Sequence, residues 1–131
     1  MVFADAFYWF ALVSPNDAAH DRAIQFSSEY WGALLTTEWV LAEVCDGLAS
    51  TRFRHLVEQL RAEWQNDGAS TVVAASHDLF ERGLDLYCSR PDKSWSLTDC
   101  ISFVVMQDHG VTDALTGDHH FAQAGFAALL A

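Results

Sequence analysis

Lysine and arginine are scarce in this sequence. Only seven of them stand against 18 aspartates and glutamates, and the formal net charge is −11. This shortage argues against a general nucleic-acid binder, because such proteins usually carry a basic face that meets the phosphates. It leaves open an enzyme that approaches phosphates through bound cations, since a metal ion reverses the sign of the local field.

Long apolar runs and paired cysteines are missing as well. No run approaches the roughly 18 apolar residues of a membrane span, and the apolar opening has no basic segment and contains Asp5, which is untypical of a signal peptide. The spacing of Cys45, Cys88 and Cys100 matches no zinc or redox motif. We therefore expect a cytoplasmic protein, not bound to a membrane, whose thiols are reduced and buried in the core.

The composition that remains is that of one globular domain over residues 1–131, with 51% hydrophobic and 19% charged residues. Short apolar segments alternate with amphipathic ones. We predict strands at 1–4, 33–35, 69–75, 113–116 and 126–130, helices at 17–31, 38–49, 51–65, 77–89, 96–110 and 119–125, and a turn at 66–68. This alternation, with strands apolar on both faces, indicates an α/β fold around a mainly parallel sheet of four to five strands.

Four acidic residues stand at unusual positions in this pattern. Asp5 and Asp118 directly follow predicted strands, Asp99 stands at a helix start, and Glu43 lies within an apolar helix. Each has an ordinary explanation when it is taken singly. An aspartate at a helix start is a favoured N-cap, and Ser96 and Asp99 have the spacing of a capping box. Glu43 can be a partly exposed boundary residue.

Taken together, the four acids predict a metal site. Right-handed crossovers bring the carboxyl ends of parallel strands to one edge of the sheet, where sites of such folds lie. Carboxylates about 4 Å apart repel by roughly 4 kcal/mol at an effective dielectric constant near 20. Such a cluster persists by taking up protons or by binding a cation. Oxygen ligands without a neighbouring thiolate or paired imidazoles suit Mg²⁺ or Mn²⁺.

Four segments carry a resemblance to a known family: FADAFYW, LLTTEWVLAEV, SLTDCISFVVM and ALTGDHHFAQAGF. Over nearly the whole chain they resemble the PIN-domain nucleases, and among these the VapC-type toxins of bacterial toxin–antitoxin pairs. The resemblance implies a three-layer α/β/α sandwich and a Mg²⁺-dependent endoribonuclease, with Mn²⁺ as the alternative ion. It also implies tRNA or rRNA as the substrate, a cognate antitoxin protein as a partner, and a homodimer.

The same resemblance assigns roles to individual residues. It makes an acidic quartet, catalytic and metal-binding, of Asp5, Glu43, Asp99 and Asp118, and it places two hydroxyls beside these acids, Thr98 and Thr116. Family members often have a small hydroxyl residue just after the first aspartate. This chain has Ala6 and Phe7 there, so we expect the Asp5 carboxylate to lack that hydrogen-bond donor.

Three further residues are candidate RNA contacts. Arg52 and Arg54 belong to the only basic grouping of the chain, and His119 directly follows Asp118 and precedes His120, for which a phosphate contact is considered as well. The alternative is that these side chains are simply solvated on helix surfaces. The stretch 6–13, apolar all round, is typical of core but also suits a dimer or antitoxin interface.

Other functions fit the sequence less well. A haloacid-dehalogenase-type phosphatase needs a second aspartate where Phe7 stands, and a response-regulator receiver needs a lysine late in the chain, whereas the single lysine is Lys93 in a loop. No phosphate-binding loop of the GxxxxGK type is present. The remaining alternative is a PIN-fold binding module with weak or lost nuclease activity that acts through a protein partner.

Overall fold

Five short strands form a single sheet in which every neighbouring pair is parallel, in the order β3-β2-β1-β4-β5. The computed structural model describes residues 1–66 and 68–131, except for the side chain of Asn66. The predicted turn at 66–68 therefore lies partly outside the described residues. The strands are β1 (Val2–Ala4), β2 (Leu34–Thr37), β3 (Thr71–Val73), β4 (Asp113–Leu115) and β5 (Ala127–Ala128).

Helices connect the strands and cover the sheet, which confirms the predicted α/β/α sandwich. They are α1 (Ala6–Val13), α2 (His20–Glu29), α3 (Glu38–Leu48), α4 (Val57–Asn66), α5 (His77–Ser89), α6 (Leu97–Asp108) and α7 (His119–Gln123). A short 3-10 turn, Arg54–Leu56, precedes α4. Within the described ranges, no helix combines the length and the apolar character that crossing a membrane requires.

Local capping fixes where the helices begin. The Thr37 hydroxyl accepts a hydrogen bond from the Val40 amide at 3.1 Å, so β2 passes directly into α3. Helix α6 is buried on more than one face, since every residue from Asp99 to Met106 is buried. It packs against α3, α5 and α7, so its central turns are covered on all sides and the polar residues Asp99 and Ser102 lie inside.

Several predicted boundaries and two of the cysteine predictions are wrong. The segment 51–65 divides into a turn, the 3-10 turn and α4, and the strand expected at 126–130 is only two residues long. Cys100 is buried as expected, whereas Cys45 and Cys88 are exposed. The buried positions of α3 are four residues apart: Val40, Val44 and Leu48. Cys45 directly follows Val44 and therefore points toward solvent.

The strand order determines where a site is expected. The chain adds β2 and β3 on one side of β1, then returns to add β4 and β5 on the other side. In such sheets ligands bind beyond the carboxyl ends of the strands, at the point where the order reverses. Here that point lies between β1 and β4, where Ala4 pairs with Leu115. The residues that follow these two, Asp5 and Thr116, therefore emerge side by side.

Candidate metal centre at the carboxyl edge of the sheet

Asp5 is a buried carboxylate at the end of β1. It occupies the N-cap position of α1, yet its side chain makes no capping hydrogen bond. Instead, Oδ2 accepts a hydrogen bond from the Thr116 hydroxyl at 2.9 Å. The residue is only 6% exposed, so the ordinary explanation, a helix cap, does not account for a carboxyl group at this position.

Thr116 supplies the hydrogen-bond donor that Ala6 and Phe7 do not. Asp5 is followed by no hydroxyl residue, as expected, but its carboxylate is still hydrogen-bonded, because the end of the neighbouring strand β4 provides the donor. Burial nevertheless raises the pKa of Asp5 to about 7, against the lowering effect of hydrogen bonds from Thr116 and the Ala6 amide. The nearby charges of Asp99 and Glu43 raise it further.

The same hydroxyl links Asp5 to Asp118. Thr116 Oγ1 accepts a hydrogen bond from the Asp118 amide at 3.0 Å. Asp118 in turn caps α7, because its Oδ1 accepts from the His120 amide at 2.9 Å. Asp118 is therefore an N-cap, as the ordinary explanation says. Its carboxylate nevertheless lies at the same edge of the sheet as Asp5, so capping does not exclude a role in the site. Gly117 permits this turn to approach α1, since a Cβ there would lie 2.5 Å from the Phe7 ring.

Asp99 also takes part in helix capping and lies at the same edge of the sheet. The predicted capping box is confirmed: the Asp99 amide donates to the Ser96 hydroxyl at 3.0 Å, and Asp99 Oδ2 accepts from the Ser96 amide at 3.1 Å. The same Oδ2 lies 3.1 Å from Nδ1 of His120. Helix α6 therefore begins with its first-turn carboxylate directed at the start of α7.

Glu43 completes the group from α3. It is the most exposed of the four acids, on the solvent side of its helix. Partial desolvation raises the pKa of its carboxyl, and the charges of Asp99 and Asp118 raise it further. Since Asp5 also experiences Asp99 and Glu43, each of the four acids lies within electrostatic reach of others in the group.

This arrangement fits a divalent cation. Among the described ion pairs, none joins a lysine or arginine to any of the four acids. Their mutual repulsion is therefore not relieved by a lysine or arginine of the described residues, and two of the four carboxyl groups have raised pKa values. Clustered carboxylate oxygens of this kind are the ligands that hard divalent ions prefer.

His120 belongs to this site, whereas the sequence analysis considered it, together with His119, only for a solvated helix start or a phosphate contact. Its Nδ1 lies 3.1 Å from Asp99 Oδ2 and 3.4 Å from Asp118 Oδ1, and its side chain is only 17% exposed. The adjacent His119 points outward, with a side chain 73% exposed. Two adjacent histidines give no sequence signal for which one turns inward. The short helix α7, capped by Asp118, makes that choice.

The remaining predicted residues make local contacts. Thr98 is half-buried, and within residues 1–66 and 68–131 it has no hydrogen bond to the acids. Arg52 lies over the Phe53 ring at 4.9 Å, and Arg54 donates to the Ala49 carbonyl at 3.1 Å. Both arginines are exposed. The roles assigned to these residues and to His119 stay predictions.

Comparison with known proteins agrees with this geometry. The PIN domain family matches residues 2–127. The chain is 30% identical over 129 residues to the 23S rRNA-specific endonuclease VapC20 of Mycobacterium tuberculosis, in two strains, covering 96% of this chain and 95% of the relative. A crystal structure of M. tuberculosis VapC20, described as a sarcin–ricin loop cleaving toxin, superposes with a TM-score of 0.87 at 24% identity over 97% of both chains. The chain therefore belongs to the PIN-domain family.

Proposed function

We propose that this protein is a metal-dependent endoribonuclease of the VapC toxin type, with Asp5, Glu43, Asp99 and Asp118 as its metal-binding and catalytic acids. The observation that carries the proposal is the hydrogen-bonded connection from Asp5 through Thr116 to Asp118, beyond the carboxyl ends of β1 and β4. It is supported by the full-length similarity to VapC20, a 23S rRNA-specific endonuclease. The ion proposed from the carboxylate ligands is Mg²⁺, with Mn²⁺ as the alternative.

Each part of the site has a distinct task in this proposal. PIN nucleases generally use a divalent metal, which when bound lowers the pKa of water and polarises the scissile phosphate. Thr116 holds the Asp5 carboxylate in one orientation, and the capping bonds of Asp99 and Asp118 hold theirs. A carboxylate of the group accepts the proton of the attacking water. Because these groups are already held in position, less conformational entropy is lost when the transition state forms.

The substrate we propose is ribosomal RNA rather than tRNA, because VapC20 is specific for 23S rRNA. The net charge of −11 makes long-range attraction to RNA weak, so binding depends on cations at the acidic edge and on local contacts. Arg52, Arg54 and His119 are proposed as such contacts, since all three are exposed.

The direct test is cleavage of purified ribosomes, free 23S rRNA and a tRNA pool, each with Mg²⁺, with Mn²⁺ and with a chelator. We expect cleavage of rRNA that requires the metal. We also expect the metal to raise the melting temperature, since an ion that binds only the folded state adds about 2.7 kcal/mol at a hundredfold excess over its Kd. If no metal shifts the melting temperature and no RNA is cut, the binding-module alternative becomes the better account.

VapC toxins generally pair with antitoxins, and the structure offers a surface for such a partner. A groove of about 740 Å³ runs between α1, α2, α4 and the β2–β3 side of the sheet. We call it the aromatic groove, after its lining side chains Tyr8, Trp9, Phe26, Tyr30 and Trp64. We propose that an antitoxin helix lays its apolar side here while a basic side chain of the antitoxin reaches the acidic quartet.

This pairing is tested with the product of a small open reading frame adjacent to the gene. Co-expression is expected to give a stable complex without RNA cleavage, and Arg→Ala scanning of the partner is expected to find one residue whose loss restores cleavage. A tight complex in which no basic residue affects inhibition would contradict the neutralisation mechanism. The homodimer stays a prediction, and sedimentation of the free protein and of the complex decides it.

A further inference from the structure

The imidazole of His120 lies among the carboxylates of the site rather than at its border. We infer that His120 is itself a metal ligand, through Nδ1, so that this centre has a mixed nitrogen and oxygen ligand set and prefers Mn²⁺ to Mg²⁺. The inference rests on the proposed function only in assuming that the acidic edge binds a divalent ion. It assigns to His120 a role that neither the acidic quartet nor the candidate RNA contacts include.

The distances agree with shared coordination. Atoms that bind one divalent ion at about 2.1 Å from its centre lie roughly 3 Å from one another in an octahedral arrangement. His120 Nδ1 lies 3.1 Å from Asp99 Oδ2 and 3.4 Å from Asp118 Oδ1. Nδ1 of the neighbouring His119 lies 3.6 Å from Asp118 Oδ1, and among the described residues only His120 contacts both Asp99 and Asp118. Small adjustments would therefore bring an ion into contact with Nδ1 and both carboxylates.

The other ring nitrogen supports the same assignment. His120 Nε2 lies 3.3 Å from the Ser94 hydroxyl. A neutral imidazole that carries its proton on Nε2 donates it to Ser94 and leaves the Nδ1 lone pair toward Asp99 and Asp118. Metal-binding histidines usually have such a partner on the second nitrogen, which fixes the tautomer and the ring orientation. The amide of His120, bonded to Asp118 Oδ1 at 2.9 Å, holds the backbone in place.

An imidazole ligand changes which ion is favoured. Carboxylate and water oxygens suit Mg²⁺, which binds nitrogen poorly, whereas first-row transition ions accept imidazole readily. The sequence pattern favoured Mg²⁺ because it gave no imidazole a place beside the acids. With His120 beside the acids, the site offers an imidazole nitrogen, which binds Mn²⁺ more strongly than Mg²⁺. His119 offers the matched control, because it is the same residue type one position away, but 73% exposed.

The experiment measures metal binding directly on the full chain, after removal of metal with a chelator. Isothermal titration with MnCl₂ and MgCl₂ compares the wild type, His120→Ala and His119→Ala. We expect the wild type to bind Mn²⁺ at least tenfold more tightly than Mg²⁺. His120→Ala is expected to lose at least tenfold in Mn²⁺ affinity and much less in Mg²⁺ affinity, and His119→Ala to stay within twofold for both ions.

A spectroscopic measurement on the wild type tests the ligand without depending on the folding of a variant. Electron spin echo envelope modulation of the Mn²⁺-loaded wild type is expected to show a coupled imidazole ¹⁴N, which His120→Ala removes and His119→Ala keeps. The absence of nitrogen coupling in the wild type, or its loss only in His119→Ala, overturns the inference. Equal affinities of the wild type for the two ions overturn the predicted preference.

The two proposals fail in different ways. Metal-dependent rRNA cleavage by a wild type without nitrogen coupling contradicts the role of His120 and leaves the proposed function standing. Nitrogen coupling that disappears in His120→Ala, in a protein that cleaves no RNA with either ion, contradicts the proposed function and leaves the metal ligand standing.

Discussion

Two regions of the molecule share helix α1 and differ in almost every physical respect. At its N-terminal end, the acidic edge holds the buried carboxylate of Asp5, which hydrogen bonds through Thr116 connect to the Asp118 amide. Along its side, the aromatic groove is mainly apolar, and the described contacts leave the indole N–H groups of Trp9 and Trp64 buried without partners. The aromatic groove is therefore not the region with the reactive groups. Catalysis requires charged groups held in fixed orientations, whereas binding another protein requires apolar surface. In this molecule the two kinds of surface lie in separate regions.

The largest expected effect comes from removing a single charge at the acidic edge. Asp5→Asn, Asp99→Asn and Asp118→Asn are each expected to lower RNA cleavage by at least about 100-fold, because a lost ligand weakens both metal binding and transition-state stabilisation. Binding of the partner's apolar helix is expected to persist. Asp21→Asn, at an exposed position of α2, is the control. Full activity in two of the three site variants would contradict the assignment of the quartet.

The second contrast is in the response to pH. Because the pKa of Asp5 is raised to about 7 in the folded protein, the folded state holds a proton that the unfolded chain releases near pH 4. The metal-free protein is therefore expected to lose stability as the pH rises from about 4 to above 7, by about 2 to 3 kcal/mol between pH 5 and 8. Urea unfolding in a chelator measures this slope.

The Asp5→Asn variant shows whether that slope belongs to the acidic edge. We expect most of it to disappear, since the amide does not titrate, while a variant of the aromatic groove such as Ile24→Asp keeps it. An unchanged slope in Asp5→Asn would mean that other groups set the pH dependence of stability.

The aromatic groove is tested by placing a charge in it. Ile24 lines the groove and is 45% exposed, so Ile24→Asp is expected to preserve the fold. A carboxylate buried beneath a bound partner without a counter-charge costs about 2 kcal/mol or more, a loss of about 30-fold in affinity. Phe80→Asp on α5, 37% exposed and outside the groove, is the control. Equal losses in both variants would show that the partner does not use the groove.

The smallest expected effect is the difference in RNA cleavage between variants of Thr116 and Thr98. Thr116→Val removes the hydroxyl that bonds both Asp5 and the Asp118 amide, and we expect a loss of about tenfold in cleavage, consistent with the loss of an orienting contact. Thr98→Val is expected to cost less, because its hydroxyl has no such bond in the described structure. Steady-state cleavage rates at saturating metal measure both. A larger loss in Thr98→Val would reverse the order of the two hydroxyls.

The sequence predicted the parallel sheet and the convergence of the acids because both follow from the order of the elements. Alternating strands and helices require crossovers, and crossovers bring strand ends such as those before Asp5 and Asp118 to one edge. The features it missed depend on side-chain direction over short distances. His119 and His120 are indistinguishable by spacing in so short a helix. The exposure of Cys45 depended on which face of α3 packs, a detail that a mostly apolar segment leaves open.

Anomalous diffraction from crystals of the protein grown with Mn²⁺ tests most directly the claim that the acidic edge is the reactive centre. We expect an anomalous peak beyond the carboxyl ends of β1 and β4, within about 2.0–2.4 Å of carboxylate oxygens that include Asp5 or Asp118. A peak located elsewhere in the molecule, with these carboxylates uncoordinated in crystals that retain metal-dependent activity when dissolved, would contradict it.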